Sequence, residues 1–383
     1  MKKIFIIVLG IVMLIPSFVY AEDNLATNAK NAVLMEVSSG KIIFEKAKDD
    51  KVAVASLVKL MSQLLIIEEV EKGNLSWDEK ITTSSNAAGF GGTQIYLEPG
   101  EVMTVKELMK GISMASANDA TVALAERVAG SEEKFVEMMN KKAKELELKN
   151  THFTNSTGLD EKDNYSSAYD MALISLELMK HDVIFEYSSL YEDYLRENTN
   201  NKFWLVNTNK LVRLYEGTDG LKTGFTDNAG YTMAVTAKRD NMRLLAVVLG
   251  EEVSKVRNKE VVELLDYGFN LYKVELLRKK GEVIDSINIS RGNKNRINGI
   301  VCEDIMILNK KNENDKEYKE KIYFDEIKLP IKKGDKIGRV DIYDLEKKLR
   351  SYDIVSDSDV GKKKIINIFL DNLINVITGI YIK

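Results

Sequence analysis

Three short segments stand in one order along the chain: Ser56-Leu57-Val58-Lys59, Ser116-Ala117-Asn118 and Lys222-Thr223-Gly224. If they act together, the fold must bring the start of a helix, a connection between helices and a strand of a sheet into one place. Singly each is weak, since Ser-x-x-Lys also occurs at Ser38…Lys41 and Ser131…Lys134, and Ser-x-Asn at Ser84…Asn86 and Ser286…Asn288. The ordered set is the constraint, because each segment falls where its chemistry needs it.

The surrounding pattern supplies those elements. Val33–Val37 and Lys41–Glu45 flank Ser38-Ser39-Gly40 and read as a β-hairpin. From Ser56 to Lys72 the residues Leu57, Leu60, Met61, Leu64, Leu65 and Ile67 give a helix with a wide apolar face, stopped by Gly73. Further helices are expected at 104–115, 118–129, 131–147 and 168–180, and strands near 203–207, 231–238 and 242–249, the last two joined through Asp240-Asn241. Lys222-Thr223-Gly224, after Asp219-Gly220, fits the start of a sheet strand, and a helix near 253–271 closes the unit. Helices on an antiparallel sheet make this an α+β arrangement. Past residue 278 the texture changes to short alternating runs punctuated by Gly281, Gly292, Gly299, Gly334 and Gly338, as in a small β-rich domain, with the charged stretch 310–321 as a loop or hairpin tip.

The ends suggest an exported protein. Lys2 and Lys3 precede an apolar run, Ile4–Ile15, and Val19-Tyr20-Ala21 offers a small residue before a cut, as in a signal peptide over 1–21. The run is short for a bilayer span of about 20 residues. Without these residues 53 basic side chains face 59 acidic ones, a balance of −6, which argues against a nucleic-acid partner. Cys302 is the single cysteine, so no intrachain disulfide can form and stability has to come from a large core. The last stretch, 365–382, is apolar but carries Asn367, Asp371 and Asn375 four apart, with Asn372 and Thr378 near the same face. A spanning helix would not keep such a stripe against lipid. An interfacial amphipathic helix over 360–383 would, with Lys362, Lys363 and Lys364 toward anionic headgroups; a helix docked on its own protein is the competing reading.

Acyl transfer through a serine needs a nucleophile, a proton acceptor and donors for the oxyanion. Ser56 lies at a helix start, where free N–H groups favour developing negative charge. Lys59 is one turn on, on the same face. It can act as a base only when neutral, so burial or a neighbouring cation has to lower its pKa, and Lys222 is the candidate neighbour. Ser116 can relay protons between Lys59, Lys222 and a leaving amine, and Asn118 can hold Lys59 and a substrate amide. Gly224 permits close backbone approach, Lys222 and Thr223 can meet a carboxylate, and Phe225 offers a second oxyanion N–H beside that of Ser56. A histidine triad is nearly excluded, since His152 and His181 are the only histidines and both have structural or surface settings. No cluster has metal-ligand spacing, so neither a metal nor a cofactor is expected.

The trio is that of the serine β-lactamases and penicillin-binding proteins. Over nearly its whole length the chain resembles the low-molecular-weight penicillin-binding proteins, the D-alanyl-D-alanine carboxypeptidases of the penicillin-binding protein 5 type. Gly91-Gly92-Thr93-Gln94, Leu97-Glu98-Pro99-Gly100-Glu101, Asn155 to Asp160, Asn207 to Leu211 and Pro330 to Asp335 also match that family. Val54 departs from it where proline is common, and Ala117 replaces a frequent glycine. The resemblance implies a β-lactamase/transpeptidase-like catalytic domain over 25–272, a β-rich domain over 278–350 and a C-terminal membrane-anchoring helix. It implies release of the terminal D-alanine from peptidoglycan stem peptides through a Ser56 acyl-enzyme that β-lactams block, and a role for Arg257 in holding the terminal carboxylate. Two other readings share the segments. One is a class A-like β-lactamase, disfavoured because Glu161 is followed four residues later by Tyr165 rather than asparagine. The other is a non-catalytic penicillin-sensing or wall-binding protein, disfavoured because every reacting group is present.

Overall fold

The computed structural model describes residues 24–313 and 316–366. The expected signal peptide and nearly all of the expected C-terminal helix lie outside the described residues. The chain opens with β1 (Asn31–Glu36) and β2 (Lys41–Lys46), the expected hairpin. A 3-10 turn, Ala55–Val58, leads into α1 (Lys59–Glu71), followed by β3 (Lys80–Thr82), α2 (Ser85–Ala88), β4 (Val102–Thr104) and α3 (Val105–Lys110). A π turn, Gly111–Ala115, then precedes α4 (Asn118–Ala129), α5 (Glu132–Glu145), α6 (Ala168–Leu178) and α7 (Val183–Ser188). The hairpin β5 (Glu192–Leu195) and β6 (Phe203–Val206) and the short α8 (Leu211–Leu214) lead to β7 (Thr218–Thr226), β8 (Gly230–Arg239), β9 (Met242–Glu251) and α9 (Ser254–Leu271).

An antiparallel sheet in the order β2-β1-β9-β8-β7 organises this part. Its central strands β1 and β9 read as nearly continuous apolar runs because both faces are covered. In β9, Leu245, Val247 and Leu249 join the core with α1, while Leu244, Ala246 and Val248 join the opposite core with α9. Helix α1 is buried on all sides from Lys59 through Ile67, as a helix at the centre of a large domain must be. Thr104 and Glu107 form a reciprocal capping box at the start of α3.

The remaining strands are β10 (Tyr272–Arg278), β11 (Val283–Asn288), β12 (Arg296–Val301), β13 (Ile305–Lys310), β14 (Tyr318–Phe324), β15 (Lys336–Asp344) and β16 (Lys347–Ser356). They form a five-stranded sheet, β11-β12-β16-β15-β14, and the pair β10-β13, around a separate core that includes Ile297, Ile305, Val340, Ile342 and Ile354.

Local differences from the sequence reading have physical reasons. Ser56 sits in the 3-10 turn before α1, and the expected helix 104–115 ends in the π turn. Lys222-Thr223-Gly224 lies in the middle of β7, because Asp219-Gly220 forms a bulge inside the strand rather than a turn before it. The charged stretch 310–321 contributes its last residues to β14, an edge strand with most of its residues exposed, where lysine and glutamate blunt the edge and hide the strand from a hydrophobic pattern.

Candidate active site

The nucleophile candidate is set by its turn. Val54, Ala55 and Leu57 are buried around half-buried Ser56, and Ala55 takes a left-handed backbone with φ 49°. Such strain in a non-glycine residue clusters where geometry is fixed for function. Lys59, with no exposed surface, donates from Nζ to Ser56 Oγ at 3.0 Å and to the Thr157 carbonyl at 2.5 Å. That carbonyl is held by its loop, where Asn155 Oδ1 accepts from the Gly158 N–H at 2.7 Å and Ser62 Oγ on α1 donates to the Ser156 carbonyl at 2.7 Å. Gly158, at φ 84°, packs so closely that a Cβ there would stand 2.0 Å from the Ala55 carbonyl oxygen.

Ser116 ends the π turn in the left-handed region, φ 65° and ψ 31°. Its Oγ is buried with no hydrogen-bond partner among the described residues, the kind of orphaned polar group that calls for an explanation. Asn118 opens α4. Its Nδ2 donates to the Gly91 carbonyl at 2.7 Å and its backbone N–H to the Thr93 carbonyl at 2.7 Å. The amide thus fastens the 91–94 segment; its expected bond to Lys59 is not among the described hydrogen bonds. Asp119, fully buried, accepts from the N–H groups of Ile95 and Leu97 and holds the same loop.

Strand β7 forms the other wall. Gly224 lies opposite Thr232 of β8, and a Cβ on it would stand 2.9 Å from the Ser56 nitrogen. Only glycine lets the strand come this near the nucleophile's turn. Thr232 Oγ1 donates to the Val54 carbonyl at 3.1 Å and fastens the same contact. Lys222 Nζ is buried and donates to the Thr223 carbonyl at 2.8 Å, while Thr223 Oγ1 donates to Thr208 Oγ1 at 2.8 Å. The Phe225 ring is half exposed and lies 4.3 Å from the Tyr231 ring. Arg257, expected on the surface if it had no role, is 5% exposed; it donates to the Thr232 carbonyl at 3.3 Å from behind the sheet.

Three basic side chains, Lys59, Lys222 and Arg257, thus lie in series with little water. Burial above all, then the charge of Lys222, pushes the Lys59 amine well below its usual pKa, with Asp119 pulling the other way. Burial, then Arg257, brings Lys222 down to about 7. Burial brings Arg257 to about 10, opposed by Tyr231 and Glu251. A neutral Lys59 against the serine hydroxyl can accept its proton. His152 and His181 are engaged elsewhere, with the Asp163 carbonyl and the Glu71 carboxylate, each at 2.8 Å. The sequence reading missed the parts played by Thr157, Thr208 and Asp119. The first two lie in segments already singled out by resemblance, but a backbone carbonyl leaves no trace in residue type.

With this geometry in view, comparison with known proteins is decisive. A model of the D-alanyl-D-alanine carboxypeptidase family matches residues 19–253, and one of the penicillin-binding protein 5 C-terminal domain matches 272–362. The chain belongs to the D-alanyl-D-alanine carboxypeptidase family. D-alanyl-D-alanine carboxypeptidase DacF of Bacillus subtilis is 49% identical over 317 residues, 82% of each chain. The structure of penicillin-binding protein 5 from Haemophilus influenzae is 30% identical with a TM-score of 0.71, over 88% of this chain and 98% of that one. Penicillin-binding protein D2 from Listeria monocytogenes, in its ampicillin-bound form, is 32% identical with a TM-score of 0.57, over 64% of this chain and 98% of that one.

Proposed function

We propose that this enzyme, a serine-type D-Ala-D-Ala carboxypeptidase, removes the terminal D-alanine of peptidoglycan stem pentapeptides through Ser56. The observation that carries the assignment is the wholly buried Lys59 amine 3.0 Å from Ser56 Oγ. Neutral Lys59 takes the Ser56 proton as Oγ attacks the carbonyl between the two D-alanines. The oxyanion is met by the N–H groups of Ser56 and Phe225. As the C–N bond breaks, Ser116 passes a proton from the lysines to the leaving amine, and water then hydrolyses the ester. Thr223, Lys222 and Arg257 supply the hydroxyl and the positive field for the terminal carboxylate, with Gly224 admitting the substrate backbone along the strand. Asn118 orients the substrate amide.

A β-lactam closes on the same serine and stays. Glu161, the acid nearest in sequence to a deacylating glutamate, accepts from Thr154 Oγ1 at 2.8 Å and Asn155 Nδ2 at 3.0 Å, which supports a loop-holding part for it rather than activation of water. The enzyme acts after export, at the outer face of the cytoplasmic membrane, held peripherally by its C-terminal segment. Among the described residues no helix is long and apolar enough to cross a membrane. The test is release of free D-alanine from a pentapeptide ending in D-Ala-D-Ala. Wild-type protein should release it and form a lasting penicillin adduct by mass spectrometry. Folded Ser56→Ala should do neither; turnover by that variant would overturn the assignment.

A further inference from the structure

The β-rich part of the chain carries a cationic end whose purpose catalysis does not explain. The stretch after β16 runs between two loops: Val360 and Ile331 exchange backbone hydrogen bonds at 2.8 and 2.9 Å, the Asn293 N–H donates to the Gly361 carbonyl at 2.9 Å, and the Lys363 N–H donates to the Arg291 carbonyl at 2.9 Å. Gly292 packs against this stretch so tightly that a Cβ would stand 2.9 Å from Val360 Cγ1. This pairing gathers Arg291 and Lys294 from the β11–β12 connection, Arg296 from the start of β12, Lys332 and Lys333 from the turn before β15, and the lysines of 362–364. All but Lys363 are exposed, and apart from it none forms an ion pair among the described residues.

The nearby carboxylates are engaged in hydrogen bonds of their own. Asp335 accepts from the Lys332 N–H at 2.8 Å, Asp359 from the Lys333 N–H at 2.7 Å, and Asp357 from Asn298 Nδ2 at 2.8 Å while also feeling the charge of Lys294. Eight basic side chains thus stand here beside three carboxylates, Asp335, Asp357 and Asp359. Directly beyond the lysine run, Ile365 and Ile366 are 85% and 60% exposed. In the sequence the apolar stretch 365–382 begins here.

We propose that this end of the β-rich domain, with loops 291–296 and 332–333 beside the 362–364 run, is a docking surface for an anionic lipid bilayer. The proposal rests on the membrane reading of the C-terminal segment and adds a second, folded contact to it. One amphipathic segment gives reversible attachment; a polybasic surface beside it supplies the second signal that stable attachment takes. Each lysine or arginine near an anionic surface adds about 1 kcal/mol, so two loops fixed beside the 362–364 run convert a tether into an oriented dock. Exposed isoleucines contiguous with the cations favour a lipid surface over an anionic wall polymer, which offers charge without an apolar layer.

The test is co-sedimentation of the full chain with vesicles of phosphatidylglycerol and phosphatidylcholine, and of phosphatidylcholine alone, beside the triple variant Arg291→Gln, Lys294→Gln, Lys333→Gln. The variant should bind the anionic vesicles on the order of 100-fold more weakly, with a shallower salt dependence, and match the wild type on neutral vesicles. Release of D-alanine from a soluble peptide should be equal in both. Equal binding of wild type and variant to anionic vesicles would overturn the docking surface and leave the tail reading standing. Failure of the wild type to bind any vesicle would overturn both. Loss confined to binding of a soluble polyglycerol phosphate would assign the patch to a wall polymer and overturn the lipid proposal.

Discussion

Replacing Gly224 by alanine tests whether catalysis depends on the approach of β7 to the nucleophile's turn. The new Cβ would stand 2.9 Å from the Ser56 nitrogen, 3.0 Å from Ala55 Cβ and 2.6 Å from Thr232 Oγ1. The Thr232 hydroxyl cannot rotate away without giving up its bond to the Val54 carbonyl. Strand and turn must therefore separate by roughly 0.5 Å to restore ordinary contacts, which widens the space where both oxyanion donors and the serine oxygen meet the carbonyl. A misplacement of about 1 Å costs on the order of 100-fold, so kcat/KM for D-alanine release should fall roughly 10- to 100-fold, or about 1.4–2.7 kcal/mol. Overpacking costs about 1–3 kcal/mol of stability, so the variant should still be folded at assay temperature, with a midpoint lower by several degrees. Gly91→Ala is the control, since nothing lies within 4 Å of its Cβ. Peptide hydrolysis and the second-order rate of penicillin acylation should fall together for Gly224→Ala and hold for Gly91→Ala. If folded Gly224→Ala stayed within about threefold of wild type in both assays, the close approach would not be what the reaction requires.

Removing the charge of Lys222 by Lys222→Met should move the acid limb of the pH profile for penicillin acylation to higher pH, because the cation that lowers the Lys59 pKa is gone; an unmoved limb would refute that coupling. The same variant should be more stable than wild type near pH 6 and gain less near pH 9. The folded pKa of about 7 lies below the unfolded value, so the wild type carries a buried charge below pH 7 and recovers stability as pH rises above it. Glu251, buried beside Glu260, has its pKa raised to about 8, first by burial and then by that neighbouring carboxylate. Folding therefore retains a proton that the unfolded chain loses, and the acid's contribution declines from about pH 4.5 to 8. Glu251→Gln keeps a donor without the titration and should exceed wild-type stability at pH 8 to 9 in thermal unfolding; a parallel pH dependence in the two proteins would refute the assignment.

What the sequence made legible was whatever residue type and spacing encode. The apolar run of α1, the hairpin β1–β2 and the paired strands β8 and β9 follow from periodicity, and Ser56 beside Lys59 follows from one helical turn. The central sheet was legible as strands but not as a layer covered on both faces, because a continuous apolar run such as Leu244–Leu249 reads alike for several kinds of buried strand. Less accessible still were features made by backbone and by tertiary approach. The Thr157 carbonyl on Lys59 carries no side-chain signature, and the left-handed turns at Ala55 and Ser116 occur at residues that do not ask for them. Arg257 shows the difference most sharply. By type it belongs on the surface of an amphipathic helix, yet the fold buries it behind Thr232, where its charge lowers the pKa of Lys222 and Lys222 in turn lowers that of Lys59. Neither link of that series is visible in spacing, because each depends on how much water the packed sheet excludes. The three segments specify which groups meet; burial between β7, α1 and α9 decides that the lysine meeting the serine has its pKa pushed well below the usual amine range.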